Sequence, residues 1–175
     1  MVTNKEKDKR VGQRTEPRQV SQTSPTTNNN PLAEKASQAV KKKKVLIVDD
    51  EASICLMLER FFANGRHGLG FSFATEMAEN GLDALDKWNR SKDFDLIISD
   101  IRMNGGGGIN FAENVRKEDK KVPILLISGD YLQDADVVND VMKRLGNISC
   151  LQKPFDLFLA LKPKVAELLG SDSSH

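Results

Sequence analysis

Five polar side chains follow apolar runs in the second part of the sequence, and their types suit phosphate or metal chemistry. Asp49 and Asp50 end the run "VLIV", Asp100 ends "LIIS", Ser128 ends "ILLI", and Lys153 follows a last, shorter run. Consecutive carboxylates repel one another, so Asp49 and Asp50 call for a counter-charge. A helix N-terminus tolerates acidic residues, whereas a divalent cation site requires them. The elements that carry these residues decide between the two interpretations.

Apolar runs alternate with helical patterns from residue 45 onward. Three of the runs are continuous rather than alternating, which is typical of strands covered on both faces. Between the runs, apolar residues recur at helical spacing, and Pro163 should kink or split the last helix. The predicted strands are 45–49, 71–76, 94–99, 122–127 and 148–151, and the last helix is predicted at 156–169.

Five strands alternating with five helices predict an α/β fold with a doubly wound parallel sheet, because parallel strands need crossover connections. A common strand order for such a sheet is 2-1-3-4-5, the flavodoxin-like arrangement, which places ligands at the carboxyl ends of strands one and three. Asp49, Asp50 and Asp100 would converge there, with Ser128 and Lys153 beside them. Hard oxygen ligands without His or Cys favour Mg²⁺ over zinc.

Four segments, "VLIVDDE", "DLIISDIRM", "PILLISGD" and "LQKPF", resemble the signature segments of receiver domains in two-component response regulators, the CheY-like family. The resemblance covers about residues 44–169. It implies that Asp100 accepts a phosphoryl group from the phosphohistidine of a histidine kinase or phosphotransfer protein. It also implies that Ser128 and Lys153 bind the phosphoryl oxygens.

The resemblance further implies a Mg²⁺ ion held by Asp49, Asp50, Asp100 and the backbone carbonyl of Arg102. A carboxylate is a competent nucleophile towards phosphorus and would give an aspartyl-phosphate. Catalysis would then rest on positioning and on neutralising the phosphoryl oxygens. Movement of Ser128 towards the phosphoryl group would bias the surface around helix four and strand five.

Three features depart from the family pattern. Cys150 stands where receivers commonly have an aromatic switch residue, and Tyr131 is the nearest substitute in sequence. The glycines at 105–108 replace the usual loop, and their conformational freedom predicts a mobile segment. Arg102 and Asp130 are expected to flank the pocket and to bridge across it as opposite charges.

The ends of the chain differ from its centre in composition. Residues 1–43 are polar and basic with few large apolar residues, so we predict a disordered tail, followed by a receiver domain at 44–170 and a second disordered tail at 171–175. The Lys run at 41–44 is either a solvated boundary or a contact for an acidic partner. Two separated cysteines and no long apolar stretch predict a cytoplasmic protein without disulfides or a membrane span.

These observations predict a stand-alone receiver domain that is not a conventional enzyme, with at most slow self-phosphorylation and self-dephosphorylation. It would bind a downstream effector protein, and phosphorylation could also promote a homodimer. No DNA-binding output domain is recognised after the last helix. The main alternative is a receiver-like adaptor that works without phosphorylation. A Mg²⁺-dependent phosphatase would carry a second Asp at position 102, where Arg102 stands, and a flavodoxin would need a Ser/Thr-rich phosphate loop after strand one.

Overall fold

The computed structural model describes residues 42–170, within which strands and helices alternate along the chain. The strands are β1 (Lys42–Val48), β2 (Ser72–Ala78), β3 (Leu96–Asp100), β4 (Ile124–Ser128) and β5 (Ile148–Gln152). The helices are α1 (Ala52–Ala63), α2 (Gly81–Ser91), α3 (Gly108–Glu118), α4 (Tyr131–Leu145) and α5 (Lys162–Leu169), with a π-helical segment (Leu157–Leu161) directly before α5. The predicted tails at 1–43 and 171–175 lie outside these residues, apart from Lys42 and Lys43.

The five strands form one parallel sheet in the order β2-β1-β3-β4-β5, as predicted. Strands β3 and β4 are buried at every position, and β1 is buried from Val45 to Val48. Helices cover both faces of these central strands, which explains why their apolar runs are continuous. One core cluster contains Trp88 and Phe111, and the other, on the opposite face, contains Phe61 and Phe62.

Side chains at the helix ends explain where two of the helical segments begin. Asn80 accepts hydrogen bonds from the backbone N–H groups of Leu82 and Asp83, which caps α2. Asp156 caps the π-helical segment in the same way, with N···O distances of 2.7 Å to Phe158 and Leu159. The predicted split near Pro163 is confirmed, because the π-helical segment gives way to α5 one residue before this proline.

The first strand begins at Lys42, two residues before the predicted start of the domain. Lys43 pairs with Asp95 at 2.7 Å, and Lys44 pairs with Asp93 and Glu76, each at 2.9 Å. The third strand begins later than predicted, at Leu96 rather than at residue 94. Asp95 precedes it and accepts a hydrogen bond from the Lys44 backbone N–H. Lys43 and Lys44 therefore belong to the sheet and its ion pairs.

The helices of residues 42–170 include none that is long and apolar enough to cross a membrane. The cytoplasmic location stays a prediction.

Arg116 is a buried cation that the sequence patterns did not single out. Its side chain is 1% exposed, and its guanidinium donates to four backbone carbonyls, those of Gly146, Asp119, Val122 and Asn147. It thereby ties the end of α3 to the loops that begin β4 and β5. Burial lowers the Arg116 pKa, while the charge of Asp119 raises it.

Replacing Arg116 with Met should destabilise the fold by about 3 kcal/mol, because it leaves buried carbonyls without donors. Urea denaturation followed by circular dichroism measures this change. Arg90→Met removes an exposed arginine from α2 and serves as the matched control, with an expected effect of about 0.5 kcal/mol or less. Equal stability losses in the two variants would contradict the structural role of Arg116.

Candidate functional site

The register of the sheet brings the acidic strand ends together. Val48 pairs with Ser99 across β1 and β3, so Asp49 follows β1 at the level where Asp100 ends β3. The backbone N–H of Asp49 donates to the Ala78 carbonyl at 3.1 Å, which keeps Asp49 in line with the sheet. The two carboxylates are therefore neighbours because of strand order, as the sequence predicted.

Lys153 supplies the counter-charge for both carboxylates. Its Nζ lies 2.8 Å from Asp49 Oδ2 and 2.9 Å from Asp100 Oδ1. The side chains of Asp49 and Asp100 are only 1% and 7% exposed, so the attraction is weakly screened by solvent. Glu51, the third acid of "DDE", is exposed and lies 3.5 Å from the same ammonium group. The Lys153 backbone N–H donates to the Ser128 carbonyl at 2.7 Å, which fixes the lysine at the sheet edge.

Burial and charge shift the pKa values of this group in opposite directions. Burial raises the pKa of Asp100 above its ordinary value, while Lys153 lowers it and the neighbouring Asp49 charge raises it further. Burial alone would lower the pKa of Lys153, but its bonds to Asp49 and Asp100 raise that pKa well above the ordinary value. Lys153 therefore stays protonated at neutral pH and balances the two carboxylates.

Asp50 contacts a different group from the other two acids. Its side chain is exposed, and Oδ2 accepts from the backbone N–H and the Nδ2 of Asn104, at 3.2 and 3.3 Å. Among residues 42–170, no three His, Cys, Asp or Glu side chains are arranged to hold a metal ion. In this arrangement Lys153 neutralises Asp49 and Asp100 while Asp50 contacts the loop, so the metal site formed by the three carboxylates stays a prediction.

The hydroxyl of Ser128 contacts a residue that the sequence reasoning missed. Ser128 Oγ donates to Asp134 Oδ2 at 2.6 Å, and Arg102 donates to Asp134 Oδ1 from Nη2 at 2.6 Å and from Nε at 2.9 Å. Asp134 lies in the first turn of α4, where acids are common at any helix. Only its position six residues beyond Ser128, one helical turn into α4, could have pointed to this contact.

Both the backbone and the side chain of Arg102 bind acidic residues of the site. Its backbone N–H donates to Asp100 Oδ2 at 3.0 Å, and its guanidinium pairs with Asp134. The bonds to Asp134 raise the Arg102 pKa, and the charges of Asp130 and Asp100 raise it further. Asp134 is thus the main anionic partner of Arg102, and the bridge between Arg102 and Asp130 stays a prediction.

The predicted switch positions lie in β5 and at the start of α4. Cys150 is half-buried in β5. Burial raises the pKa of its thiol, a backbone hydrogen bond at Leu151 lowers it, and the charge of Asp134 raises it, so that the resulting pKa is about 11. Tyr131 begins α4, and its side chain lies outside the described part of the structure. The role of either residue in switching stays a prediction.

Close contacts explain why glycine is needed at position 108 of the glycine loop and at Gly81 beside it. A Cβ at Gly108 would collide with the Asp100 carbonyl and the Ser99 hydroxyl, and a Cβ at Gly81 would collide with the Gly106 carbonyl. Gly106 has φ of 109°, a backbone conformation that other residues rarely adopt. The loop therefore packs closely between the end of β3 and the start of α2.

Asp100→Asn should raise the melting temperature at pH 7.5 in buffer with EDTA. The pKa of Asp100 is raised in the folded chain, so ionising it costs stability as pH rises above the ordinary carboxyl value of about 4. The amide removes that cost, and Asp49 still pairs with Lys153. Scanning calorimetry from pH 4 to 8 should show a gain that shrinks towards pH 4.

Asp86→Asn, at an exposed acid of α2, is the control for that measurement and should leave the melting temperature unchanged. A gain for Asp100→Asn that grows towards pH 4, or a loss at pH 7.5, would contradict the assigned cost of burying the Asp100 charge.

The chain is similar to known signalling proteins over the described fold. The transcriptional regulatory protein ZraR of Klebsiella oxytoca is 31% identical over 132 residues, which are 74% of this chain and 28% of ZraR. The chemotaxis protein CheY-3 of Vibrio cholerae is 35% identical over 92 residues, 51% of this chain and 66% of CheY-3. The chain thus spans about a quarter of the length of the transcriptional regulators that it matches.

A solved structure shares the same architecture. The response regulator TrrA of Thermotoga maritima, crystallised with Mg²⁺ and a beryllium fluoride, is 31% identical. The superposition has a TM-score of 0.56 and covers 73% of this chain and 99% of TrrA. The family model for the response regulator receiver domain matches residues 45–161, which include the acidic pocket, Ser128 and Lys153. The chain therefore belongs to the response regulator receiver domain family of two-component systems.

Proposed function

We propose that Asp100 is the phosphoacceptor of this receiver domain. The observation that carries the proposal is the shared ion pair, in which Lys153 Nζ contacts Asp49 and Asp100 at 2.8 and 2.9 Å. A buried carboxylate with a lysine bound to one oxygen is positioned for attack on phosphorus. The same ammonium group can then bind the oxygens of the incoming phosphoryl group.

The proposed reaction transfers one phosphoryl group from a phosphohistidine of a histidine kinase or phosphotransfer protein. An Asp100 oxygen forms the new O–P bond while the P–N bond breaks, and the leaving imidazole keeps the electron pair of that bond. Lys153 stays protonated throughout and neutralises charge on the phosphoryl oxygens. The protein is then a phosphoacceptor with slow self-phosphorylation and self-dephosphorylation rather than an enzyme with a conventional substrate.

The donor groups at the pocket suit Mg²⁺, which would supply positive charge to the phosphoryl oxygens. Asp49, Asp50, Asp100 and the backbone carbonyl of Arg102 would hold the ion. All are hard oxygen donors, as Mg²⁺ prefers. Asp50 is exposed, and its bonds to Asn104 at 3.2 and 3.3 Å are long, so its carboxylate is available to a cation.

The proposed output is a protein–protein contact on the surface formed by α4 and β5, which includes Cys150 and Tyr131. Ser128 closes β4 directly before α4, so a movement of its hydroxyl would reach that surface. A downstream effector protein or a second copy of the phosphorylated chain is the proposed partner. An adaptor that binds its partner without phosphorylation is the second candidate, favoured by the absence of an aromatic side chain at Cys150.

Incubation with Mg²⁺ and acetyl phosphate should add one phosphoryl group, measured as intact mass. The adduct should be labile to hydroxylamine, as an acyl phosphate is, and EDTA should abolish it. Asp100→Asn should give no adduct, whereas Asp86→Asn should behave as the unmodified chain does. An adduct that persists in Asp100→Asn would place the phosphoacceptor elsewhere, and no adduct in any variant would favour the adaptor.

Asp50→Asn should raise the Mg²⁺ concentration needed for half-maximal phosphorylation by roughly tenfold or more, since a charge about 4 Å from the ion contributes about 1 to 4 kcal/mol. Mass spectrometry across a Mg²⁺ titration gives the midpoint. Glu79→Gln, at an exposed acid that lines the same cavity as Asp50, is the control and should shift the midpoint much less. Equal shifts would indicate a general effect of surface charge rather than direct binding by Asp50.

A further inference from the structure

The Ser128 hydroxyl has one proton to donate, and this structure directs it away from the phosphoacceptor. The acceptor is Asp134 Oδ2 at 2.6 Å, while the Asp130 backbone N–H donates to the same Ser128 oxygen at 3.2 Å. A phosphoryl oxygen on Asp100 would need that proton as well. A hydroxyl cannot donate to both acceptors at once, so the two bonds compete.

Asp134 is a firmly held competitor. Its side chain is 9% exposed, and two bonds from Arg102 at 2.6 and 2.9 Å fix its other oxygen. Its backbone N–H donates to the Asp130 carbonyl at 3.1 Å, which anchors the residue in the first turn of α4. Hydrogen bonds to an ionised carboxylate are among the strong ones, so the Ser128 bond costs free energy to break.

The same carboxylate is also connected to both ends of the proposed switch. Arg102, its cationic partner, donates its backbone N–H to Asp100 Oδ2 at 3.0 Å. On the other side, the charge of Asp134 contributes to the raised thiol pKa of Cys150 in β5. Asp134 thus interacts with Arg102 in the phosphoacceptor loop, with the Ser128 hydroxyl and with Cys150 in β5.

We propose that Asp134 is a positioning residue that holds the Ser128 hydroxyl against α4, away from Asp100, until a phosphoryl group on Asp100 displaces it. The inference rests on the proposed phosphorylation of Asp100. Breaking the Ser128–Asp134 bond frees the start of α4 beside Cys150, so the signal reaches the α4–β5 surface through a buried carboxylate rather than through an aromatic ring. The strength of this bond sets how readily the unphosphorylated chain adopts the active arrangement.

Beryllofluoride binding in the presence of Mg²⁺ tests the proposal, with ¹⁹F NMR reporting the bound fraction. Asp134→Ala should bind beryllofluoride about tenfold more tightly than the unmodified chain, because the hydroxyl no longer has a competing charged acceptor. Arg102 is about half exposed and can be solvated by water when its partner is removed. Unchanged or weaker binding by Asp134→Ala would overturn the proposal.

A double-mutant cycle with Ser128→Ala separates positioning from a merely structural role. In the Ser128→Ala background, adding Asp134→Ala should leave the affinity unchanged, since no hydroxyl remains to be released. A tenfold gain in that background as well would overturn the proposal. If thermal melting shows that Asp134→Ala does not fold, Asp134→Asn replaces it: tighter binding than in the unmodified chain supports the proposal, and equal binding overturns it.

The unmodified chain distinguishes this inference from the proposed function. If it neither binds beryllofluoride nor gains a phosphoryl adduct on Asp100, the proposed function fails and the inference fails with it. If it does both while Asp134→Ala matches it in affinity, only the positioning role of Asp134 fails.

Discussion

Lys153 holds two buried carboxylates, and the arrangement of the sheet edge depends on this contact. Asp49 and Asp100 are neighbours because β1 and β3 are adjacent, and they would repel each other without a cation between them. The lysine directly follows β5, which is two strands from β3 and three from β1, and its backbone bond to Ser128 places it beside the end of β4. Strand order, not proximity in sequence, thus assembles a charge-balanced pocket at the carboxyl ends of β1 and β3.

A third buried carboxylate, Asp134, binds the Ser128 hydroxyl and has its own cation. Asp134 pairs with Arg102, as Asp49 and Asp100 pair with Lys153, so each buried anion in this part of the chain is compensated. Ser128 lies between the two groups: its carbonyl accepts from Lys153, and its hydroxyl donates to Asp134. One residue therefore connects the phosphoacceptor pocket with the first turn of α4.

The structure connects the features that depart from the family pattern. The glycine loop fits tightly against the Asp100 carbonyl and the start of α2, which positions the loop that carries Arg102 and Asn104. Arg102 and Asn104 in turn contact Asp134 and Asp50. Cys150 in β5 packs against one core cluster, and the charge of Asp134 acts on its thiol. Polar contacts thus connect the loop after β3 and the end of β4 with the first turn of α4.

The sequence alone predicted the five strands, their order and the set of Asp49, Asp100, Ser128 and Lys153, because buried parallel strands leave continuous apolar runs with polar residues at their ends. It did not predict the Ser128–Asp134–Arg102 contacts or the buried Arg116. An acid in a first helical turn and a basic residue in a last turn are typical of any helix. Their partners lie on other elements, so only tertiary packing decided that these charges are buried and what they bind.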